Sequence, residues 1–269
     1  MPSTSDNSKT HLSGREKTTS AAFFTLAALA AAPTYWHGNP CGHDTATHFW
    51  RAVMFTHNVG EGYPFLQWSQ HFLRGYGYPI FPFYAPLFNW LIALLHLIGF
   101  DVNTALRTAA WLALLVCGWS MYTLTPPYVD TPQAAAVTGL AYMFAPYIIY
   151  DGVERGALPE LWALALVPWV LARVDMALER QTGRAAVLAV LAFAILILTH
   201  NVIPIITFLL AGALWLGRLQ AGRWLRWWHD ARLTLLIIAG SLAVTSFFWL
   251  PALIELDYTQ QGLETPADF

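Results

Sequence analysis

The sequence predicts an all-α, polytopic membrane protein, with about seven to eight membrane helices of roughly 20 residues each and interfacial helices in its first exterior loop. Composition is the first reason: of 269 residues 57% are hydrophobic and only 11% charged, where a soluble domain carries about a quarter charged. Mean hydropathy is +0.46. The second reason is a succession of apolar runs joined by short connections. The net charge of −2 and the scatter of basic residues exclude a nucleic-acid partner. Cys41 and Cys117 lie far apart and make no metal or redox pattern.

In chain order, residues 1–20 are a polar Ser/Thr-rich tail holding Lys9, Arg15 and Lys17, expected to be cytosolic. The apolar run Ala21–Trp36 follows, either as a first span or as a signal peptide. Either way the next segment lies outside. The membrane domain is expected over 21–258, with an exterior loop at 37–79 and an exterior tail at 259–269. Within the loop, Asp44 to Asn58 has helical periodicity, with Phe49, Trp50, Val53 and Met54 on one side and Asp44, His48 and Arg51 on the other. Phe65, Leu66, Trp68, Phe72 and Leu73 predict a second, shorter amphipathic piece, ended by Gly75-Tyr76-Gly77-Tyr78-Pro79.

Apolar runs then occupy about 80–100, 107–125, 134–150, 159–172, 185–216 and 233–252. The fifth is too long for one span and is interrupted by His200-Asn201 and Pro204, which predicts a helical hairpin. If 80–100, with Pro82 and Pro86, dips in and returns, the arginine-rich connections 173–184 and 217–232 become cytosolic, as the positive-inside rule requires. Asp44, the segment Asp151–Glu160 and the His200-Asn201 tip then share the exterior side.

Three groups of residues could carry chemistry. Asp44, His48 and Arg51 place a carboxylate, an imidazole and a guanidinium on one helix face, able to deprotonate a hydroxyl and hold an anion. They read equally as the solvated face of an interfacial helix, and with His43 they allow a divalent metal, although the spacing disfavours one. Asp151, Glu154, Arg155 and Glu160 concentrate charge at a membrane boundary, where Arg155 suits a phosphate. The alternative is a solvated turn whose long side chains reach water. His200, inside an apolar run, is a capping or interhelical residue or a ligand contact. Glu255 and Asp257 read as the outer end of the last span. No phosphate-binding glycine loop, Gly-x-Ser-x-Gly elbow or His-Glu-x-x-His appears, so no nucleotide cofactor and no metal site are expected.

At these residues the chain resembles the GT-C class of membrane glycosyltransferases, and within it the bacterial and archaeal 6-pyruvoyl-tetrahydropterin synthase-related membrane proteins. The resembling stretches are His43-Asp44 with His48 and Arg51, Gly75-Tyr-Gly-Tyr-Pro79 with Phe83-Tyr84-x-Pro86, Glu154-Arg155-Gly156 with Pro159-Glu160, Thr199-His200-Asn201, and Phe248-Trp249-Leu250-Pro251 with Glu255. The zinc-binding histidine triad of a soluble pterin synthase is not visible, so the pterin label carries no activity. What the resemblance implies is a multi-pass protein of a bacterial or archaeal cell membrane with a cytosolic N-terminus. It takes a sugar from a polyprenyl-phosphate donor at the exterior face, with Asp44 as base. Arg155 and Arg51 then hold the lipid phosphate, with His48, Glu154, Glu160 and His200 as further contacts. The family's proteins are commonly longer, so 259–269 is expected to be a truncation point. A non-catalytic subunit that binds the lipid carrier and a transporter are the alternative readings.

Overall fold

The computed structural model describes Phe24, Thr25, Leu29, Gly38, and residues 42–64, 67–220 and 226–258. The polar tail 1–20, most of the first apolar run, Cys41, Phe65, Leu66, Arg223 and the tail 259–269 lie outside the described residues. Among those described the fold is all-helical, as predicted. The helices are α1 (Thr45–Gly60), α2 (Leu87–Leu97), α3 (Val102–Leu124), α4 (Pro132–Met143), α5 (Pro146–Ile149), α6 (Leu158–Arg180), α7 (Gly183–Thr199), α8 (Ile203–Gln220), α9 (Trp227–Val244) and α10 (Ser246–Ile254). A π-helical turn, Tyr150–Arg155, links α5 to α6.

Local signals set these boundaries. Asp101, Thr131 and Thr182 precede α3, α4 and α7, and each side chain accepts a hydrogen bond from the backbone N–H three residues on (3.1, 3.2 and 3.3 Å). The expected run 134–150 is divided before Pro146, because the residue preceding a proline is driven out of the helical region. The run 185–216 becomes α7 and α8, broken at His200-Asn201 as the sequence predicts.

α3, α6 and α7 form the core. Ala105, Ala109 and Ala113 of α3 are fully buried in one cluster with Leu158, Leu161 and Ala165 of α6. On its other side α6 packs Val170, Val174 and Ala177 against Ala185, Ala189 and Phe193 of α7. Small side chains at such contacts let helix backbones approach closely, which is how helices associate where lipid removes the hydrophobic drive. Trp162 Nε1 donates to the Ala109 carbonyl (3.0 Å) and Tyr142 Oη to the Leu164 carbonyl (2.7 Å), tying α6 to α3 and α4. Outward, Ile205, Ile206 and Leu209 of α8 and Leu235 and Leu236 of α9 are exposed. A patch of this kind needs a covering medium.

Two helices, α3 and α6, each of 23 residues, are long and apolar enough to cross a membrane, and α9 with α10, bent by 72°, makes a third candidate. The expected seven to eight spans are therefore two to three by length and composition among the described residues. Helix length makes the difference: the 11 residues of α2 rise about 17 Å, against a hydrocarbon core of about 30 Å. That is too short to cross as a single helix. The 17 residues of α7 reach only about 26 Å.

The helix predicted over Asp44 to Asn58 is present as α1, with Asp44 immediately before its first residue. The second amphipathic piece forms no α-helix in its described residues, and only Leu73 enters a 3-10 turn, Leu73–Gly75. Ser69 and Tyr78 exchange both backbone hydrogen bonds at 3.0 Å in an isolated antiparallel bridge, which holds Ser69 extended in the middle of the predicted stretch.

Candidate functional site

The site forms where four chain segments converge: the start of α1, the π-helical turn with the first turn of α6, the α7–α8 break, and the lead-in to α2. The first two are joined by backbone. Asp44 N–H donates to the Arg155 carbonyl at 2.9 Å. Glycine permits that approach: a Cβ at Gly42 would run into the Arg155 carbonyl, and one at Gly156 into the Thr45 hydroxyl. Gly156 also has φ 68°, the left-handed conformation that closes a helical turn without strain only at glycine. Gly156→Ala is expected to cost at least about 2 kcal/mol from backbone strain and overpacking together. It should unfold several degrees below wild type, whereas Gly212→Ala, whose Cβ meets nothing within 4 Å, should not. Thermal unfolding followed by tryptophan fluorescence compares the two.

Arg155 is the hub. Its Nη1 donates to Asp151 Oδ1 (3.0 Å), Glu160 Oε2 (3.1 Å) and Tyr147 Oη (3.3 Å), and its Nη2 to Asp44 Oδ2 (3.2 Å). Tyr147 Oη in turn donates to Glu160 Oε1 (2.7 Å). Three carboxylates around one guanidinium leave the cluster net negative. The described residues contain no group of three ligands placed to hold a metal.

A cavity of about 360 Å³ opens beside this hub, lined by Asp44, His48, Arg51, Arg155, Glu160 and His200 among others. Six of the seven predicted site residues therefore share one cavity. Glu154 is the exception: its side chain is exposed and is absent from the cavity wall. The polar face of α1 turns inward to this cavity, with Arg51 only 8% exposed while Trp50 is 54% exposed.

Arg51 contrasts with Arg155. Among the described residues it has no carboxylate partner; its guanidinium lies over the Tyr84 ring, 3.6 Å from the centroid, and its buried Nε has no hydrogen-bond partner. Stacking on an aromatic ring stabilises a cation without neutralising it. The cavity thus has an acidic end, Asp44 with Glu160, and a cationic one, Arg51.

His200 takes the capping role the sequence allowed. Its Nδ1 accepts from the backbone N–H groups of Val202 (3.1 Å) and Ile203 (3.3 Å), starting α8. The ring proton is thereby assigned to Nε2, which faces Glu160 Oε2 at 4.0 Å. Asn201 ties this break to the lead-in of α2, donating to the Phe83 carbonyl (2.7 Å) and accepting from Ala85 N–H (3.0 Å).

Tyr147 and Tyr84 belong to the site but were given no role by the sequence, whereas Asp151 and Asn201 were named only as members of their segments. Asp151 had a legible signal, its i, i+4 spacing to Arg155. It is fully buried, and its Oδ2 has no partner. Burial, then the neighbouring charge of Glu160, raise its carboxyl from 3.8 to about 7, with Arg155 opposing. The folded protein thus holds this proton more tightly than the unfolded chain. The group's stabilisation is complete below about pH 4 and is lost as pH rises through 7. His48 has the opposite sign: burial, then Arg51, lower it from 6.5 to about 4, so its contribution is present above 6.5 and lost as pH falls through 4. In the window between, the two slopes oppose. Asp151→Asn is expected to leave the His48 slope alone, so its unfolding temperature should climb more steeply than wild type's from pH 4.5 to 6.5. Parallel curves would contradict the assignment.

No curated protein and no solved structure matches this chain. Residues 81–264, about two thirds of its length, match the family described as "6-pyruvoyl-tetrahydropterin synthase related domain; membrane protein". The matched region begins at the lead-in to α2 and takes in the hub, the α7–α8 break and the Tyr84 ring beneath Arg51. The chain belongs to this family of membrane proteins.

Proposed function

We propose that the protein is a multi-pass GT-C-type glycosyltransferase, which moves a sugar from a polyprenyl-phosphate donor to an acceptor hydroxyl at the exterior membrane face. The observation that carries this reading is the polarity of the cavity. Asp44, 41% exposed at its side chain, stands at one end and the buried, unneutralised Arg51 at the other. Asp44 caps the start of α1 and Arg51 lies within it, seven residues on and about 10 Å along the helix axis. In an inverting displacement the acceptor attacks the sugar on the face opposite the leaving group, so a base and an anion site must stand apart with the sugar between them. Asp44 takes the acceptor proton while Arg51 stabilises the negative charge that grows on the departing phosphate. The bond formed joins the acceptor oxygen to the anomeric carbon, and the bond broken joins that carbon to phosphate. Arg155, held by three carboxylates, fixes Asp44 in place.

The test is release of polyprenyl phosphate from a panel of polyprenyl-phosphate sugars in proteoliposomes containing the purified chain. Release with matching glycosylation of an added acceptor is expected. A second reading, a carrier-binding subunit without chemistry, is favoured by the ion pair that already commits Asp44 to Arg155. It predicts carrier binding with no release.

A further inference from the structure

A second cavity of about 280 Å³ adjoins the polar one, and its walls include Phe55, Phe81, Trp90, Leu198, Phe247 and Phe248. The same segments build both cavities. Phe83 and Ala85 line the polar cavity, Phe81 and Pro86 the apolar one, and Leu198 precedes the Thr199-His200-Asn201 wall. Tyr84 lines both, and its ring carries the Arg51 guanidinium. The 72° bend between α9 and α10 is what brings Phe247 and Phe248 to this wall, since α10 packs against the Phe81–Phe83 turn.

A buried arginine without a counter-charge among the described residues calls for an anion, because desolvating a guanidinium is costly unless it is paired. An aromatic-walled cavity beside it calls for an apolar chain. One molecule satisfies both when the anion and the chain are joined.

We infer that the two cavities form a single bipartite site for a prenyl phosphate, with the phosphate on Arg51 and the first prenyl units in the apolar cavity, passing the Tyr84 ring. This rests on the proposed donor class and deepens it by assigning head and chain to named residues. One apolar cavity takes one chain: a monoester phosphate of a single-chain alcohol fits, whereas a diacyl phospholipid brings two. The phosphate accepts hydrogen bonds from the Arg51 guanidinium, which lines the polar cavity, and the flat, branched prenyl units lie against aromatic faces.

The experiment uses the full chain in nanodiscs and a farnesyl phosphate bearing a diazirine on its chain. Photolabelling is expected within residues 81–90 and 247–251, and unlabelled farnesyl phosphate should compete. Inorganic phosphate, farnesol and phosphatidate should each need at least about a hundredfold more. Arg51→Gln is expected to weaken the competition about ten- to hundredfold, the scale of a charge-assisted contact in a desolvated site, and Arg51→Lys by less. Label confined to the outward residues of α8, such as Ile205 and Leu209, overturns the inference. So does competition by farnesol or phosphatidate equal to that of farnesyl phosphate. The competition series on wild-type protein decides the matter even if Arg51→Gln fails to fold. Labelling at the two segments without sugar release leaves the bipartite site standing and removes the transferase reading. Sugar release with label elsewhere does the reverse.

Discussion

Asp44→Asn is expected to abolish sugar transfer, by about 10²- to 10⁴-fold, the range for loss of a positioned general base, while leaving the protein folded. Asparagine keeps the size of the side chain and one oxygen that can accept from Arg155 Nη2, but it cannot take a proton. The structural cost is small. The Asp44–Arg155 pair is 3.2 Å long with side chains 41% and 30% exposed, and exposed ion pairs are worth about 0–1 kcal/mol. The backbone bond from Asp44 N–H to the Arg155 carbonyl is untouched. Activity and unfolding temperature should therefore separate in this variant. Asp44→Glu keeps a base displaced by one methylene and is expected to fall between. Unchanged release of polyprenyl phosphate by the asparagine variant at wild-type stability would remove Asp44 as base.

Sequence periodicity located α1 to within about two residues, because Asp44 starts it and apolar positions recur at the helical repeat. The same periodicity left open whether its polar face met water or a site, since amphipathicity says only that two faces differ. The structure answers with Arg51 8% exposed above Tyr84. Tyr84 entered the sequence reading only within the Phe83-Tyr84-x-Pro86 stretch of the resemblance, and nothing in its neighbours foretold a cation on its ring. Fewer helices than apolar runs are long enough to cross among the described residues, because apolar runs measure hydrophobicity, whereas crossing a membrane needs unbroken helix. Pro82 and Pro86 shorten α2 to 11 residues, and a bend at Thr245 divides the last run into α9 and α10. The hub was half legible. The spacing of Asp151, Arg155 and Glu160 puts them on neighbouring turns, but the 111 residues separating Asp44 from Arg155 leave no local signal. Only the close glycine approaches at Gly42 and Gly156 show how the two ends meet.

Arg155→Ala should be the most destabilising single change at this site, because it strips the cation from three carboxylates at once. Removing one partner of a buried ion pair costs about 3–5 kcal/mol, since the remaining charge stays desolvated. The Arg155 side chain is 30% exposed and Glu160 15%, which places the expected loss at the lower end, about 3 kcal/mol. Most of it traces to Asp151, which is fully buried with one oxygen already unpartnered. Two consequences follow from that origin. Asp151→Asn in the Arg155→Ala background should recover more than half of the loss, because an amide carries no charge to strand, and the double-mutant cycle should show strong coupling. The loss should also shrink as pH falls from 8 to 5, because a protonated Asp151 no longer needs a cation. Arg155→Lys keeps the charge without the planar fork that serves Asp151 and Glu160 through Nη1 and Asp44 through Nη2. It is expected to restore part of the stability but to leave Asp44 loosely held, so transfer should stay impaired after folding is rescued. Unfolding temperatures of wild type, the two single variants, the double variant and Arg155→Lys across that pH range, read beside sugar release, separate charge compensation from positioning. An Arg155→Ala protein as stable at pH 8 as at pH 5 would show that Asp151 is not the group Arg155 holds in check.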